Sequence, residues 1–190
     1  MKYDKTKIND CLVIHLDLYR DKRGMFYESY NHLRYLKTFI NTDGGPAWEG
    51  PGNPIGEQIV QSSWRQTNCS ISHKGVVRGI HIAPFAKLVT CVSGYVWDVV
   101  VDMRKDSPTY LTWIGVDLMS DYPKQVYVPP GCGHGFMSFE NGSVVTYSQT
   151  GLYDPKLETS VNWRDKKLNI YWPRDYDYIL SPKDEEAPFI

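Results

Sequence analysis

RGIHIAPFAKLVTCVSGYVWDVVVD, residues 78–102, is the stretch whose reading decides the fold. It is dense in β-branched residues, and Ser93-Gly94 interrupts it as a turn. The pattern predicts two buried β-strands back to back. Two residues do not fit an apolar pair of strands: His81 and Lys87, six positions apart. Alternate side chains of a strand share a face. His81 therefore lies opposite Ile80 and Ile82 and shares its face with Ala83. Lys87 shares its face with Val89 and Cys91, while Leu88, Thr90 and Val92 take the other.

Working outward, residues 58–150 read almost entirely as strand. IVQSSWRQTNCSIS, YLTWIGVDL, KQVYVPPG and SVVTYSQTG are short, rich in β-branched and aromatic residues, and bounded by turn residues. Toward the N-terminus, CLVIHLDLY predicts a strand in which Leu12, Ile14 and Leu16 share one face. DKRG reads as a turn and MFYESY as a further strand. NHLRYLKTFI places Leu33, Leu36 and Ile40 at helical spacing, which predicts one short amphipathic helix. Residues 43–57 are too rich in Gly and Pro for regular structure and read as a long loop. The tail, with VNWRDKKLNIYWP and LSPKDEEAPF, reads as irregular chain carrying a few docking aromatics. The fold class expected is all-β, an antiparallel barrel or jelly roll with minor helix. The whole chain, 1–190, is expected to form one domain.

Composition narrows the function. The 190 residues carry a formal net charge of −1, and no basic run is interleaved with aromatics, so neither nucleic acid nor membrane is an expected partner. The opening MKYDKTKIND is too polar for a secretory signal, and no apolar run approaches the ~20 residues of a membrane span. Cys11, Cys69, Cys91 and Cys132 show no CxxC spacing, which fits reduced thiols in a cytoplasmic protein.

If the Val89/Cys91 face lines a barrel interior, Lys87 is an ammonium pointing into a cavity. Such a charge needs a carboxylate or an anionic ligand. Tyr147 follows the same logic, sharing a face with Val145 and Ser143. Each residue also has an ordinary reading: a hydrogen-bonded core histidine, a lysine at a strand rim, a packed tyrosine. VPPGCGHGF has the PxGxxH form of a metal-binding motif in cupin barrels. Its companion HxH motif is absent, since HIA follows Gly79-Ile80 and no Glu precedes Ser93-Gly94. The ligands for a metal site are thus incomplete, and no metal is expected.

DKRGMFYESY, QTNCSISHKGVVRGIH, KLVTCVSGYVWDVVVDMRKDSPTY, VPPGCGHGF, VVTYSQTGLYDPKLE, LNIYWP and LSPKDEEAP occur in this order. On these segments the chain resembles the dTDP-4-dehydrorhamnose 3,5-epimerase family. Its members are cupin-type barrels that epimerise nucleotide-linked 4-keto sugars without metal or other cofactor. The resemblance implies a catalytic set: His81 as general base, Asp184 as its carboxylate partner, Lys87 beside the keto oxygen and Tyr147 on the opposite side of the sugar. It implies substrate contacts from Tyr153, Arg78 and His134, with Gln66 and Asn68 lining the pocket. Arg23, Phe26 and Glu28, in the DxRGxFxE segment, would reach a neighbouring subunit's nucleotide site, so a homodimer is implied as well.

Two features depart from the family pattern. HIAPFAKLV is short between histidine and lysine, with Ala83 in place of a glutamine, and the Gly/Pro-rich loop before Ile59 is long. The compact RGIHxxPxxKLVTCVSGxVxDVVVD form is similar to a subgroup acting on other deoxy sugars, including GDP-4-keto-heptose epimerases of bacterial capsule synthesis. A 3,4-ketoisomerase and a non-catalytic or metal-dependent cupin sugar binder are the alternatives. The former tends to carry an additional histidine after RGxH, which is absent here.

Overall fold

The computed structural model describes residues 1–35 and 64–190. The loop expected over 43–57, the C-terminal half of the expected helix and the start of the strand expected from Ile59 lie outside the described residues; 32–35 form a helical turn.

Thirteen strands can be followed in the described residues. The first four are β1 (Lys2–Lys5), β2 (Leu12–His15), β3 (Leu18–Asp21) and β4 (Gly24–Tyr27). Beyond residue 64 come β5 (Gln66–Ser72), β6 (Val77–Ile82), β7 (Lys87–Ser93), β8 (Tyr95–Asp102), β9 (Trp113–Met119), β10 (Lys124–Val128), β11 (Cys132–Ser138), β12 (Ser143–Gln149) and β13 (Thr159–Ser160). A short helix, α1 (Pro182–Glu185), lies near the C-terminus. None of the described helices is long and apolar enough to cross a membrane.

Two antiparallel sheets carry the fold, in the orders β1-β2-β10-β7-β12-β5 and β13-β6-β11-β8-β9. They pack face to face on an apolar interior that includes Val89 and Cys91 from β7, Val96 and Val100 from β8, Phe136 from β11 and Val145 from β12. This is the antiparallel barrel expected from the strand pattern. The alternation of faces also holds. Leu88 packs outward in a second apolar cluster with Leu12, Ile14 and Tyr127. Ile80 packs outward in a third with Val99, Met137 and Trp163. Both faces of β7 and β8 are thereby buried, which is why these strands read as continuous apolar runs rather than as strict alternation.

DKRG forms the tight turn of the β3–β4 hairpin, with Asp21 paired to Gly24. The hairpin is a separate two-stranded sheet. The elements not anticipated are β1, β11, the two-residue β13 and α1, the last lying in a tail read as irregular chain. β1 lies at a sheet edge. β11, within the glycine-rich CGHGFMS, sits between β6 and β8. It approaches β6 too closely for side chains at its glycines. A Cβ on Gly135 would stand 2.7 Å from the Arg78 carbonyl, and one on Gly79, where φ is +110°, 2.6 Å from the His134 carbonyl. That contact fixes where His81 and His134 sit.

Candidate active site

His81 and His134 are register partners across β6 and β11. Each is held by its own buried carboxylate. His81 Nε2 lies 2.6 Å from Asp184 Oδ1, and His134 Nε2 lies 2.8 Å from Asp98 Oδ2. A carboxylate at Nε2 selects the tautomer with its proton there, leaving Nδ1 of the neutral ring with the free lone pair.

Asp184 comes from 103 residues away and is placed by a local device. Ser181 caps α1, its Oγ accepting from the Asp184 N–H at 3.2 Å, and Pro182 follows at the first helical position. The tail beyond is tied down by Asn162 Nδ2, which donates to the carbonyls of Glu185 and Ala187. Burial would raise the Asp184 carboxyl, but hydrogen bonds from His81 and from the Gly79 backbone hold it below its ordinary value.

From the opposite sheet come Lys87 and Tyr147. Lys87 is 6% exposed and makes no ion pair within the described residues; its Nζ stands 5.8 Å from the Tyr147 ring centroid. Burial lowers its pKa, opposed by the charges of Glu158 and Asp98. Tyr147 is shifted upward by burial and then by Glu158. A buried ammonium without a direct counter-ion is the arrangement expected where an anion is to be received.

His81, Lys87, His134, Tyr147, Asp184 and Arg78 all line one cavity of about 210 Å³ between the two sheets. Arg78 reaches across to β5, donating from Nε to Ser72 Oγ at 3.1 Å. Gln66, Asn68 and Tyr153 stand beside this cavity rather than in its wall. Gln66 Nε2 donates to Asn68 Oδ1 at 2.7 Å, and Gln66 Oε1 accepts from the Tyr153 backbone N–H at 2.8 Å. Arg23, Phe26 and Glu28 are not brought to it. Arg23 pairs with Asp21 at 2.6 Å, Phe26 is 68% exposed, and Glu28 pairs with Arg34 at 3.3 Å.

Six further residues line the wall without having been singled out in the sequence: Ser70, Gly135, Phe136, Glu158, Ser181 and Lys183. Lys183 Nζ pairs with Glu158 Oε1 at 2.8 Å, closing the rim between the C-terminal segment and the chain before β13. Glu158 ends DPKLE and Lys183 precedes Asp184 in LSPKD, so adjacency to recognisable segments was their only signal. Among the described residues no group of three or more His, Cys, Asp or Glu side chains is arranged to hold a metal ion.

A jelly roll with a histidine–carboxylate dyad, a buried lysine and a tyrosine facing one cavity defines a class of protein, the cupin-type sugar-nucleotide isomerases. The family model described as dTDP-4-dehydrorhamnose 3,5-epimerase matches residues 53–190. The dTDP-4-dehydrorhamnose 3,5-epimerase of Salmonella typhimurium is 36% identical over 190 residues, 98% of this chain and 93% of that protein. The dTDP-4-dehydrorhamnose 3-epimerase of Streptomyces niveus is 38% identical over 171 residues, 88% of this chain and 73% of that protein. Among solved structures, the Legionella pneumophila dTDP-6-deoxy-D-glucose-3,5-epimerase in complex with dTDP-4-keto-L-rhamnose superimposes with a TM-score of 0.83 at 33% identity, covering 99% of this chain and 92% of that one. The chain belongs to the dTDP-4-dehydrorhamnose 3,5-epimerase family. It is an epimerase built on a cupin-type jelly roll.

Proposed function

We propose that this chain inverts C3, or C3 and C5, of a nucleoside-diphosphate 4-keto-deoxy sugar by proton abstraction and return through an enolate. The observation that carries the reading is the convergence of the His81–Asp184 dyad, Lys87 and Tyr147 on one cavity from two different sheets. The C4 carbonyl acidifies the C–H bonds at C3 and C5. His81 Nδ1 takes the proton, and Asp184 stabilises the imidazolium that forms. The electron pair moves onto O4, where the buried Lys87 ammonium meets the charge. Tyr147 delivers its phenolic proton to the opposite face of the same carbon, which inverts it. The phenolate then recovers a proton from solvent, and the His81 imidazolium releases to solvent the one it took.

The finer assignments follow the sequence. The compact RGIHxxPxxKLV form favours a GDP-linked 4-keto heptose over the dTDP-rhamnose precursor, in the cytoplasmic supply of sugars for capsule or lipopolysaccharide. Relatives named as 3-epimerase and as 3,5-epimerase make one or two inverted centres equally natural for a single base and a single acid. A homodimer supplies Arg23, Phe26 and Glu28 to the partner's nucleotide site.

Incubation with dTDP- and GDP-linked 4-keto sugars in D₂O tests the reading. Deuterons counted by mass and located by NMR identify the nucleotide and each inverted carbon. His81→Asn keeps a hydrogen-bond donor for Asp184 and removes the base; exchange at both carbons should fall about 10²–10⁴-fold. Tyr147→Phe should still exchange while inversion slows. Inversion by Tyr147→Phe at the wild-type rate would assign the acid to another group. Exchange at C3 accompanied by migration of the carbonyl would indicate a ketoisomerase instead.

A further inference from the structure

Beside the cavity three carboxamides form a relay whose polarity is set at one end. The Tyr153 backbone N–H can only donate, and it donates to Gln66 Oε1 at 2.8 Å. Gln66 must then present Nε2 to its neighbour, Asn68 Oδ1, at 2.7 Å. Asn68 in turn offers Nδ2 to Gln149 Oε1 at 3.3 Å. One group is left at the far end. Gln149 Nε2 is a buried donor with no acceptor within hydrogen-bonding distance among the described residues, and the residue is 2% exposed. Buried donors without acceptors are rare because each forfeits the hydration of an amide.

The register gives this donor a place. Gln149 is paired with Lys87 across β12 and β7. Gln149 alternates with Tyr147 and Val145 on the interior face of its strand, as Lys87 does with Val89, and Val145 and Val89 both lie in the interior core. The carboxamide and the ammonium are therefore neighbours on the inner face of their sheet, Lys87 in the cavity wall and Gln149 beside it. Neither has a hydrogen-bond acceptor among the described residues. Two adjacent, unspent donors, one charged and one neutral, suit a single oxygen that gains negative charge.

We propose that Gln149 Nε2 is the second donor to the sugar oxygen that Lys87 faces, so that the enolate is held by a lysine–carboxamide pair and the Gln66–Asn68 relay aims the carboxamide. This rests on the epimerase reading above. The inferred acceptor is O4 of the 4-keto sugar, and the gain is realised as that oxygen becomes an anion.

Gln149→Met preserves length and removes the donor. Its kcat should fall about 10²-fold, the scale of losing one oxyanion donor, with little change in KM. Its melting temperature should change little, because the unpaired Gln149 donor disappears while Asn68 Nδ2 loses only a long bond of 3.3 Å. Asn68→Asp can only accept, so it turns the Gln149 amide toward itself and withdraws the donor. It should reproduce the kcat loss, and the double variant should be no slower than either single one. A Gln149→Met enzyme within about threefold of wild-type kcat overturns the inference, as does a loss that tracks a fall in melting temperature. Losses that multiply in the double variant overturn the relay. Wild-type protein that exchanges no deuterium with either nucleotide series overturns the epimerase reading itself, a result distinct from normal exchange in Gln149→Met.

Discussion

Lys87 and Tyr147 face the same cavity, yet burial moves their charge states in opposite directions along the pH axis. Burial disfavours the ammonium and lowers Lys87 from its ordinary 10.5. Burial disfavours the phenolate and raises Tyr147 from 10.0. The lysine is charged only below its lowered value, and the tyrosine keeps its proton beyond its raised one. The alkaline limb of kcat should therefore belong to Lys87, with a midpoint below 10.5. In Lys87→Arg, whose guanidinium stays charged, that limb should disappear even if turnover drops; a pH–rate profile of both proteins checks it. Asp184 marks the acid side. Its folded value is lowered from 3.8, so its contribution is complete above the unfolded value and is lost as pH falls through the folded one. Asp184→Asn should melt below wild type by about 1–3 kcal/mol of stability at neutral pH, and the two melting curves should converge below about pH 4.

Among the elements, β6 and β11 set the geometry on which both histidines depend, and two glycines permit it. Gly79→Ala would force a Cβ to 2.6 Å from the His134 carbonyl in a backbone with φ of +110°. A loss of at least about 2 kcal/mol is expected, or some 4–8 °C in melting temperature for a chain of this size. Activity should fall further than at an equally destabilised site away from the cavity, because the strand that moves carries His81. The same glycines explain what was hard to read. β7, β8 and β12 are legible because Val89, Val100 and Val145 advertise strand directly. CGHGFMS does not, since Gly133 and Gly135 remove the side chains that mark a strand, and they do so because β6 lies too close: a Cβ on Gly133 would meet Ile80 Cγ2 at 2.5 Å. β1 hides for another reason. KYDK is mostly exposed at an edge, where charge discourages further pairing. The lysine in the wall could be inferred from alternation alone. Asp184 could not, because a four-residue helix brings it across 103 positions, and no local pattern records so distant a contact. Only the resemblance of LSPKD to a family segment pointed to it. Gln149 was passed over because its meaning lies in what it does not bond.

On the scale of the whole molecule, the β3–β4 hairpin is the part that one chain leaves unexplained. It pairs with no other strand among the described residues, and an isolated hairpin is marginal in water. Its aromatics face outward, Tyr19 58% and Phe26 68% exposed, with ring centroids 6.4 Å apart. Arg23 has a side chain 85% exposed and does not line its own chain's cavity. If the hairpin completes a second copy's site, Arg23 and His81 act in different active sites of one dimer, and two inactive variants can rescue each other. Arg23→Ala leaves the chemistry intact and removes what is lent; His81→Asn removes the chemistry and still lends its arginine. Each alone should be nearly inactive. Denatured together in equal amounts and refolded, random pairing makes half the dimers mixed, each with one complete site, so about a quarter of wild-type turnover should return. Light scattering on the wild type tests whether the protein has the mass of two chains. Activity that stays at the level of the separate variants, in a mixture shown to contain mixed dimers, would mean that each chain builds its nucleotide site alone.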